Sequence, residues 1–516
     1  MGEIKILDCT LRDGGYYTNW DFDRELVQDY LIAMEKLPIE YIEIGYRSKP
    51  KEGYLGEFFY CPKYIFEEVR KLAPSKKTVI ILNEKDCLVE DVDYLFSGLN
   101  EFIDLVRIAV NPARFDNAIL LARAIKTAGF SVAFNVMYMS RWIEDTVFLN
   151  KVHEVNGLVD FFYMVDSFGS VYPEQVKELI LILKEKISIP LGFHGHNNLE
   201  LAHINTLTAI DNGCEIVDAT ITGMGRGAGN LKTELLLTSL ASRKGLDVSF
   251  NELSAIVSDF EEMQKKHLWG TNLPYMVSGA LSLPQKDVMS WISKRSYSIN
   301  SIIMALQNQN DSITDNIKLK PFNFSKTSFK KVVIVGGGGS AVDHIRAIKQ
   351  FINSNNNDLC IIHASTKNAS SYKDLEVPQY FCLVGNEGYR MQKIFNNDLG
   401  DRSYTCILPP FPRKMGTFIP EGVIESSFEL ERVEFTDKYK DSHFSLALQT
   451  SLGFRADTVY LVGYDGYSDN LDSKEVELSS ENQYLINKFK NTNSELVAIT
   501  ETKYTLNKKS IYSKIK

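Results

Sequence analysis

Two histidines separated by one residue, His194 and His196 in Gly192-Phe193-His194-Gly195-His196-Asn197-Asn198, are the side chains whose type and spacing best suit metal chemistry. On an extended strand such a pair projects from a single face. Two imidazoles facing a carboxylate make a mixed nitrogen and oxygen site for a divalent ion. Asp13, in Asp8-Cys9-Thr10-Leu11-Arg12-Asp13-Gly14-Gly15-Tyr16, can supply the carboxylate, and Asn230, in Thr222-Gly223-Met224-Gly225-Arg226-Gly227-Ala228-Gly229-Asn230, a further oxygen. Each segment alone also reads as a turn or as a hydrogen-bonded core pair. Their joint position at strand ends is what favours the metal.

The elements that must position these residues follow from apolar periodicity. Short β-rich runs recur at Ile4–Thr10, Tyr41–Tyr46, Thr78–Leu82, Leu105–Val110, Ser131–Met139, Phe161–Asp166, Pro190–His196 and Ile216–Ile221. Stretches with helical spacing, such as Asp21–Leu37, Pro112–Gly129 and Leu199–Gly213, alternate with them. Strands alternating with helices indicate βαβ units and a parallel sheet, and eight of them predict a closed (β/α)8 TIM barrel over residues 1–245. Active sites of such barrels sit where strands end and βα loops begin, which is where Asp13, His194, His196 and Asn230 fall. Glu43 shares a strand face with Tyr41 and Gly45 and is expected inside the barrel, as a substrate-site carboxylate paired with Arg12 or Arg47. Asp166 and Ser167, at the end of the sixth strand, are placed to orient a ligand or to bind substrate. Asn135 carries a weaker case, and His153, His203 and His267 read as packing or surface residues.

Residues 246–317 show only helical patterns and are expected to form an appendage on the barrel. Residues 318–330 read as a linker, and 331–516 as a smaller Rossmann-like α/β domain. There Val332-Val333-Ile334-Val335 leads into a glycine loop whose Gly336, Gly338 and Ala341 fit G-x-G-x-x-A, a turn that lets a phosphate approach a helix start. The second strand ends in His363-Ala364-Ser365 with no acidic residue, so no NAD is expected. Stretches 353–358 and 466–482 read as surface loops.

Composition bounds the function classes. A net charge of -9 argues against a general affinity for nucleic acid or anionic membranes. No apolar run approaches membrane-spanning length, and the start lacks the pattern of a signal peptide. The 7 cysteines are scattered without C-x-x-C, as reduced core thiols are. A cytoplasmic protein is expected.

Asp8–Gly14, His194-Gly195-His196 and Gly223–Asn230 together resemble the DRE-TIM metallolyases, the HMGL-like family, over about residues 1–310. Among its members the chain looks closest to 4-hydroxy-2-oxovalerate aldolase-type pyruvate aldolases. The resemblance implies a divalent metal, manganese or magnesium with zinc also compatible, held by Asp13, His194 and His196 with Asn230 as a fourth ligand. It implies a 2-oxo acid and an aldehyde as substrates, with Arg12 as the catalytic arginine. Tyr16 stands where those aldolases carry a histidine base, and a phenol of ordinary pKa about 10 is a poor base at neutral pH. The cysteine-bearing loop of hydroxymethylglutaryl-CoA lyase is missing, which argues against a CoA-thioester lyase. Two other readings are a Claisen-type acyl-CoA condensing synthase on the same barrel and a non-catalytic metal-containing scaffold. The C-terminal half distantly resembles Rossmann-like domains of bacterial sialyltransferases and motility accessory factors, which implies a nucleotide or nucleotide-sugar ligand. A homo-oligomer is expected.

Overall fold

A computed structural model describes residues 4–515 apart from 294–296, 298, 314–316, 386, 396–403, 414–417 and 468–472. The chain divides into two compact units, Met1–Met289 and Ser290–Lys516. The first is a closed barrel of eight parallel strands: β1 (Lys5–Asp8), β2 (Tyr41–Tyr46), β3 (Lys77–Asn83), β4 (Leu105–Val110), β5 (Val132–Val136), β6 (Phe161–Asp166), β7 (Leu191–Gly195) and β8 (Ile216–Ala219). β1 closes the ring by pairing Lys5 to Asp8 with Ile216 to Ala219.

Strand alternation sorts the side chains. Outward residues such as Ile6, Ile42, Ile108, Phe134, Phe162 and Val217 join the helices in one large apolar cluster. Inward, Leu7, Tyr41, Val79, Leu105, Ala133, Phe161 and Ile216 form an apolar plug. Two residues further along β2, β4, β5, β6 and β8 the interior turns polar: Glu43, Arg107, Asn135, Tyr163 and Asp218 are all buried. Gly192 faces this layer because a Cβ there would lie 2.5 Å from the Tyr163 ring. His194 follows one step higher. Period-2 geometry therefore stacks plug, charged layer and candidate site along the barrel axis.

The first strand is shorter than its apolar run, since a helix, Thr10–Thr18, begins at once. Asp8 forces the turn. Its carboxylate accepts the Thr10 N–H at 2.9 Å and hydroxyls from Thr10, Tyr30 and Thr233. Arg12 and Tyr16, four residues apart, thereby share a helix face.

The boundary between units corrects two sequence expectations. It falls inside 246–317: helices Phe250–His267 and Leu273–Ala280 belong to the barrel unit, whereas Ile299–Asn310 belongs to the second. Residues 318–330 are no free linker either. Phe322, Phe324 and Phe329 pack on the second core around Phe454 and Tyr380, and Phe322 N–H bonds to Glu429 O. Three aromatic side chains in thirteen residues gain too much by burial to stay in solvent.

The second unit is an eight-stranded parallel sheet: β9 (Lys331–Val335), β10 (Leu359–His363), β11 (Gln379–Cys382), β12 (Thr405–Leu408), β13 (Ser427–Glu429), β14 (Thr458–Val462), β15 (Glu495–Ala498) and β16 (Asn507–Lys508). The order is β13-β12-β11-β10-β9-β14-β15-β16, so strand succession reverses between β9 and β14. Val332 and Ile334 face one apolar cluster, Val333 and Val335 another, which gives a doubly wound layer. The expected loop at 466–482 is corrected beyond 472: Ser473–Phe489 is a helix, docked through Leu485, Ile486 and Phe489. Its first turns are mostly polar, and its buried apolar residues lie in the last ones. Residues 468–472 lie outside the described residues.

Each unit has its own core. A chain ended after Ser293 is therefore expected to give a soluble barrel with one cooperative urea transition followed by far-UV circular dichroism. Aggregation under every condition, or a broad non-cooperative transition, would show that the barrel needs the second unit to fold.

Candidate active site

His194 and His196 point from the end of β7 toward Asp13, with ring centroids 5.1 Å apart. His194 Nε2 lies 3.6 Å from Asp13 Oδ2, and its other nitrogen, Nδ1, hydrogen-bonds Asp218 Oδ2 at 2.8 Å. His196 Nδ1 bonds the Asp166 carbonyl at 2.7 Å, which leaves its Nε2 for a ligand. An imidazole steered by a carboxylate or carbonyl on one nitrogen is the usual arrangement of a metal-ligating histidine. Burial pushes the His196 pKa down to about 3, so the ring stays neutral and able to donate a lone pair. Asn230, brought beside His196 by an isolated bridge, donates to Asp13 Oδ2 at 2.7 Å, while its own Oδ1 is buried without a partner among the described residues. Such an orphaned acceptor fits a cation.

Sequence reasoning missed what sits beneath these side chains. Arg107 is wholly buried and donates from Nη2 to Asp218 Oδ2 and from Nε to Asn135 Oδ1, both at 2.6 Å. Its Nη1 is 3.3 Å from Glu43 Oε1, and its guanidinium lies 4.1 Å from the Tyr163 ring centre. Glu43 Oε2 accepts from Arg12 Nε at 2.6 Å, and Arg12 Nη1 pairs with Asp13 Oδ1. Of the two partners expected for Glu43, the structure selects Arg12. Arg47 turns outward to the carbonyls of Tyr60, Cys61 and Leu95. An arginine in an otherwise apolar strand, two residues after Leu105, was the available signal for Arg107.

Burial pushes the Asp13 carboxyl up, but Arg12, His194, His196 and the Asn230 hydrogen bond together outweigh it and hold Asp13 below the usual range. Asp218 is likewise held down against its burial, by Arg107 and His194. Three carboxylates, Asp13, Glu43 and Asp218, thus face two guanidiniums, and the excess negative charge again suits a cation. A second grouping, Cys9, His194 and Asp218, brings one ligand atom each within 4.8 Å of the others. Asp218 is already engaged there by Arg107 and His194. Burial raises the Cys9 thiol pKa well above its ordinary value, and the thiol donates to Ala219 O. The donor set of Asp13, His194, His196 and Asn230 is the better fit.

The remaining expected residues are placed as follows. Tyr16 Oη is 3.2 Å from Tyr46 Oη, and the Arg226 guanidinium lies 4.6 Å from the Tyr16 ring centre. Asp166 acts on the site through its carbonyl. Its carboxylate accepts the N–H groups of Ser170 and Val171, and burial pushes its pKa up to about 6. Ser167 Oγ accepts the Tyr138 N–H and so holds the neighbouring loop. In the second unit Gly336 and Gly338 lie where the strand order reverses, but Asp465 accepts the N–H and hydroxyl of Ser340 beside them. A phosphate on that glycine loop would meet this carboxylate. A cavity of about 450 Å³ in this unit lies elsewhere, between the ends of β11 and β12 and residues 433–441. All 7 cysteines are buried and unpaired. No helix among the described residues is long and apolar enough to cross a membrane.

A family model described as HMGL-like matches residues 3–259. A 4-hydroxy-2-oxovalerate aldolase from Thermomicrobium roseum is 32% identical over 250 residues, 47% of this chain and 69% of that protein. An oxaloacetate decarboxylase from Mycobacterium tuberculosis is 27% identical over 239 residues, 46% of this chain and 70% of that one. Among solved structures, the N-terminal domain of a candidate aldolase from Bacteroides vulgatus is 53% identical with a TM-score of 0.56, over 58% of this chain and 100% of that chain.

The charged layer yields a test. Replacing Arg107 by methionine strands Glu43 and Asp218 in the interior and releases the Asp218–His194 contact. Breaking a buried pair this way costs about 3–5 kcal/mol, and disturbing a ligand's orienting partner costs about 10- to 100-fold in metal affinity. Urea unfolding and manganese titration of Arg107→Met are expected to show both losses. A variant as stable and as tightly metal-binding as the wild type would remove the layer from the account.

Proposed function

The chain belongs to the HMGL-like family, and from that premise we propose that it is a divalent-metal-dependent carbon–carbon lyase that cleaves or forms the bond between a pyruvate enolate and an aldehyde. The observation that carries this reading is the setting of Arg12. Its Nε is tied to Glu43 and its Nη1 to Asp13, beside His194 and His196, and neither bond uses Nη2. A guanidinium locked on two sides presents its third nitrogen in a fixed direction, without reorganisation when charge appears.

A manganese or magnesium ion held by Asp13, His194, His196 and Asn230 would polarise the keto and carboxylate oxygens of a 2-oxo acid. In the cleavage direction the 4-hydroxyl of a 4-hydroxy-2-oxo acid passes its proton to the Tyr16 oxygen as Tyr16 gives its own away through the Tyr46 hydroxyl to solvent, and the C3–C4 bond breaks. The aldehyde leaves, and the electron pair of the broken bond passes into the enolate. Arg12 Nη2 donates a hydrogen bond to the enolate oxygen, and a proton taken from solvent at C3 gives pyruvate. Tyr16, whose hydroxyl meets that of Tyr46, is the group assigned to the substrate's 4-hydroxyl. In the condensation direction it delivers the proton to the new alkoxide, a task suited to a phenol. The barrel interior excludes water from Arg12, which strengthens each of these contacts.

Two measurements test this reading. Deuterium exchange at the methyl group of pyruvate reports the enolate without knowledge of the aldehyde. It is expected in the metal-loaded protein, to cease on chelation, and to fall roughly 10²-fold or more in Arg12→Lys, the scale of losing one such donor. Lysine keeps the charge but loses the planar fork. Elemental analysis of the Asp13→Asn/His194→Ala double variant is expected to show loss of the ion. Equal exchange by wild type and Arg12→Lys would reduce the arginine to a structural part, and unchanged metal content would move the ion elsewhere.

A further inference from the structure

The arginines of this barrel mouth differ in one respect. Arg12 and Arg107 each touch two carboxylates. Arg226, half-buried on the loop after β8, has no ion pair or side-chain hydrogen bond to any described residue, and its contact is the face of Tyr16 at 4.6 Å. A cation over an aromatic ring is attracted to it, but all five guanidinium N–H donors remain available. These donors are left to water or to a ligand that enters the barrel mouth.

The loop that carries Arg226 is braced. Its carbonyl accepts the Gly229 N–H at 3.2 Å, and the next carbonyl, of Gly227, accepts the Gly270 N–H at 3.2 Å and the Tyr17 hydroxyl at 3.3 Å. Ala228 N–H bonds to Gln285 Oε1 at 3.0 Å, and Gln285 in turn donates to Asn198. Gly227, at φ +65°, would place a Cβ 2.0 Å from Gln285 Oε1, so the close approach requires glycine. Arg226 is therefore held over Tyr16 by a fixed backbone.

Position identifies the ligand. Arg12 and Tyr16 share one helix face, with Tyr16 bonded to Tyr46, and Arg226 covers the ring of Tyr16. The sequence of groups is then Arg12, the tyrosine hydroxyls, Arg226. In an aldol adduct the corresponding sequence is the pyruvyl unit, the 4-hydroxyl, and the remainder of the aldehyde. We propose that Arg226 binds an anionic group, a carboxylate or a phosphate, carried by the aldehyde, so that the natural acceptor is an acidic aldehyde rather than a simple alkanal. This rests on the lyase reading above and gives it a substrate class. Planar oxyanions match the guanidinium fork in two parallel hydrogen bonds.

The test uses the full, metal-loaded chain and pyruvate with two matched pairs of acceptors: succinic semialdehyde against butanal, and glycolaldehyde phosphate against glycolaldehyde. For at least one pair the wild type is expected to favour the acidic member by tenfold or more in kcat/KM, because a site built for a polar group rejects the analogue that lacks it. Arg226→Gln should bring that ratio to about one, and Arg226→Lys should restore part of it. If Arg226 were merely structural, Arg226→Gln would slow both members of a pair alike and leave the ratio in place. A ratio near one for both pairs in the wild type, or a ratio untouched by Arg226→Gln, overturns the proposal. The lyase reading fails separately, if the wild type exchanges no pyruvate protons. Calorimetric titration with succinate and with inorganic phosphate then decides: binding lost in Arg226→Gln retains the anion site, and equal or absent binding in both proteins removes it.

Discussion

The ion chain Arg12–Glu43–Arg107–Asp218–His194 is the constraint on which the barrel and its mouth both depend. Its members come from the helix after β1 and from β2, β4, β8 and β7 in turn. None could be buried alone, because an unpaired interior charge costs several kcal/mol. They can be buried together only when those strands hold their register. Glu43 reaches both arginines across a register shift in the β2–β3 pairing between Glu43 and Gly45. Buried pairs of this kind add little net stability over an apolar replacement. Their consequence here is orientation: one end of the chain fixes Arg12, and the other selects the nitrogen that His194 hydrogen-bonds.

The helices that follow the barrel shape the same mouth from above. Trp269 donates to Thr222 O at 3.3 Å, Thr271 to Asn197 O at 3.0 Å, and Asn198 to Tyr275 O at 3.0 Å. These bonds brace the loops after β7 and β8, which carry His196, Arg226 and Asn230. A site on loops is less precise than one on strands unless its surroundings lock it. The appended helices supply that lock, so the barrel unit extends to about residue 289.

The second unit applies a different rule to a similar alphabet. In an open parallel sheet ligands gather where strand order reverses, here between β9 and β14. Asp465 from the end of β14 meets Ser340 there, and Asn368 donates to the carbonyls of Gly336 and Gly338, both at 3.0 Å. The crevice is thus lined by an acid and by occupied carbonyls. Its electrostatics differ from the anion cradle that a glycine-rich turn alone suggests.

The sequence by itself determined the eight-strand alternation, the inward face of His194 and Glu43, and the convergence of Asp13, His194, His196 and Asn230, because strand period and strand order are local properties of a chain. The helix at Thr10–Thr18 was hidden by its two glycines, and the helix at Ser473–Phe489 by its polar first turns. The edge strands β13 and β16 are too short to show a period. Only the tertiary structure decided that Glu43 pairs with Arg12 rather than Arg47, that Arg107 lies beneath the candidate site, that Asp465 faces the glycine loop, and that Arg226 lies on Tyr16. Each joins residues from different elements, and which partner a charged side chain takes depends on the closed ring and braced loops that bring those elements together.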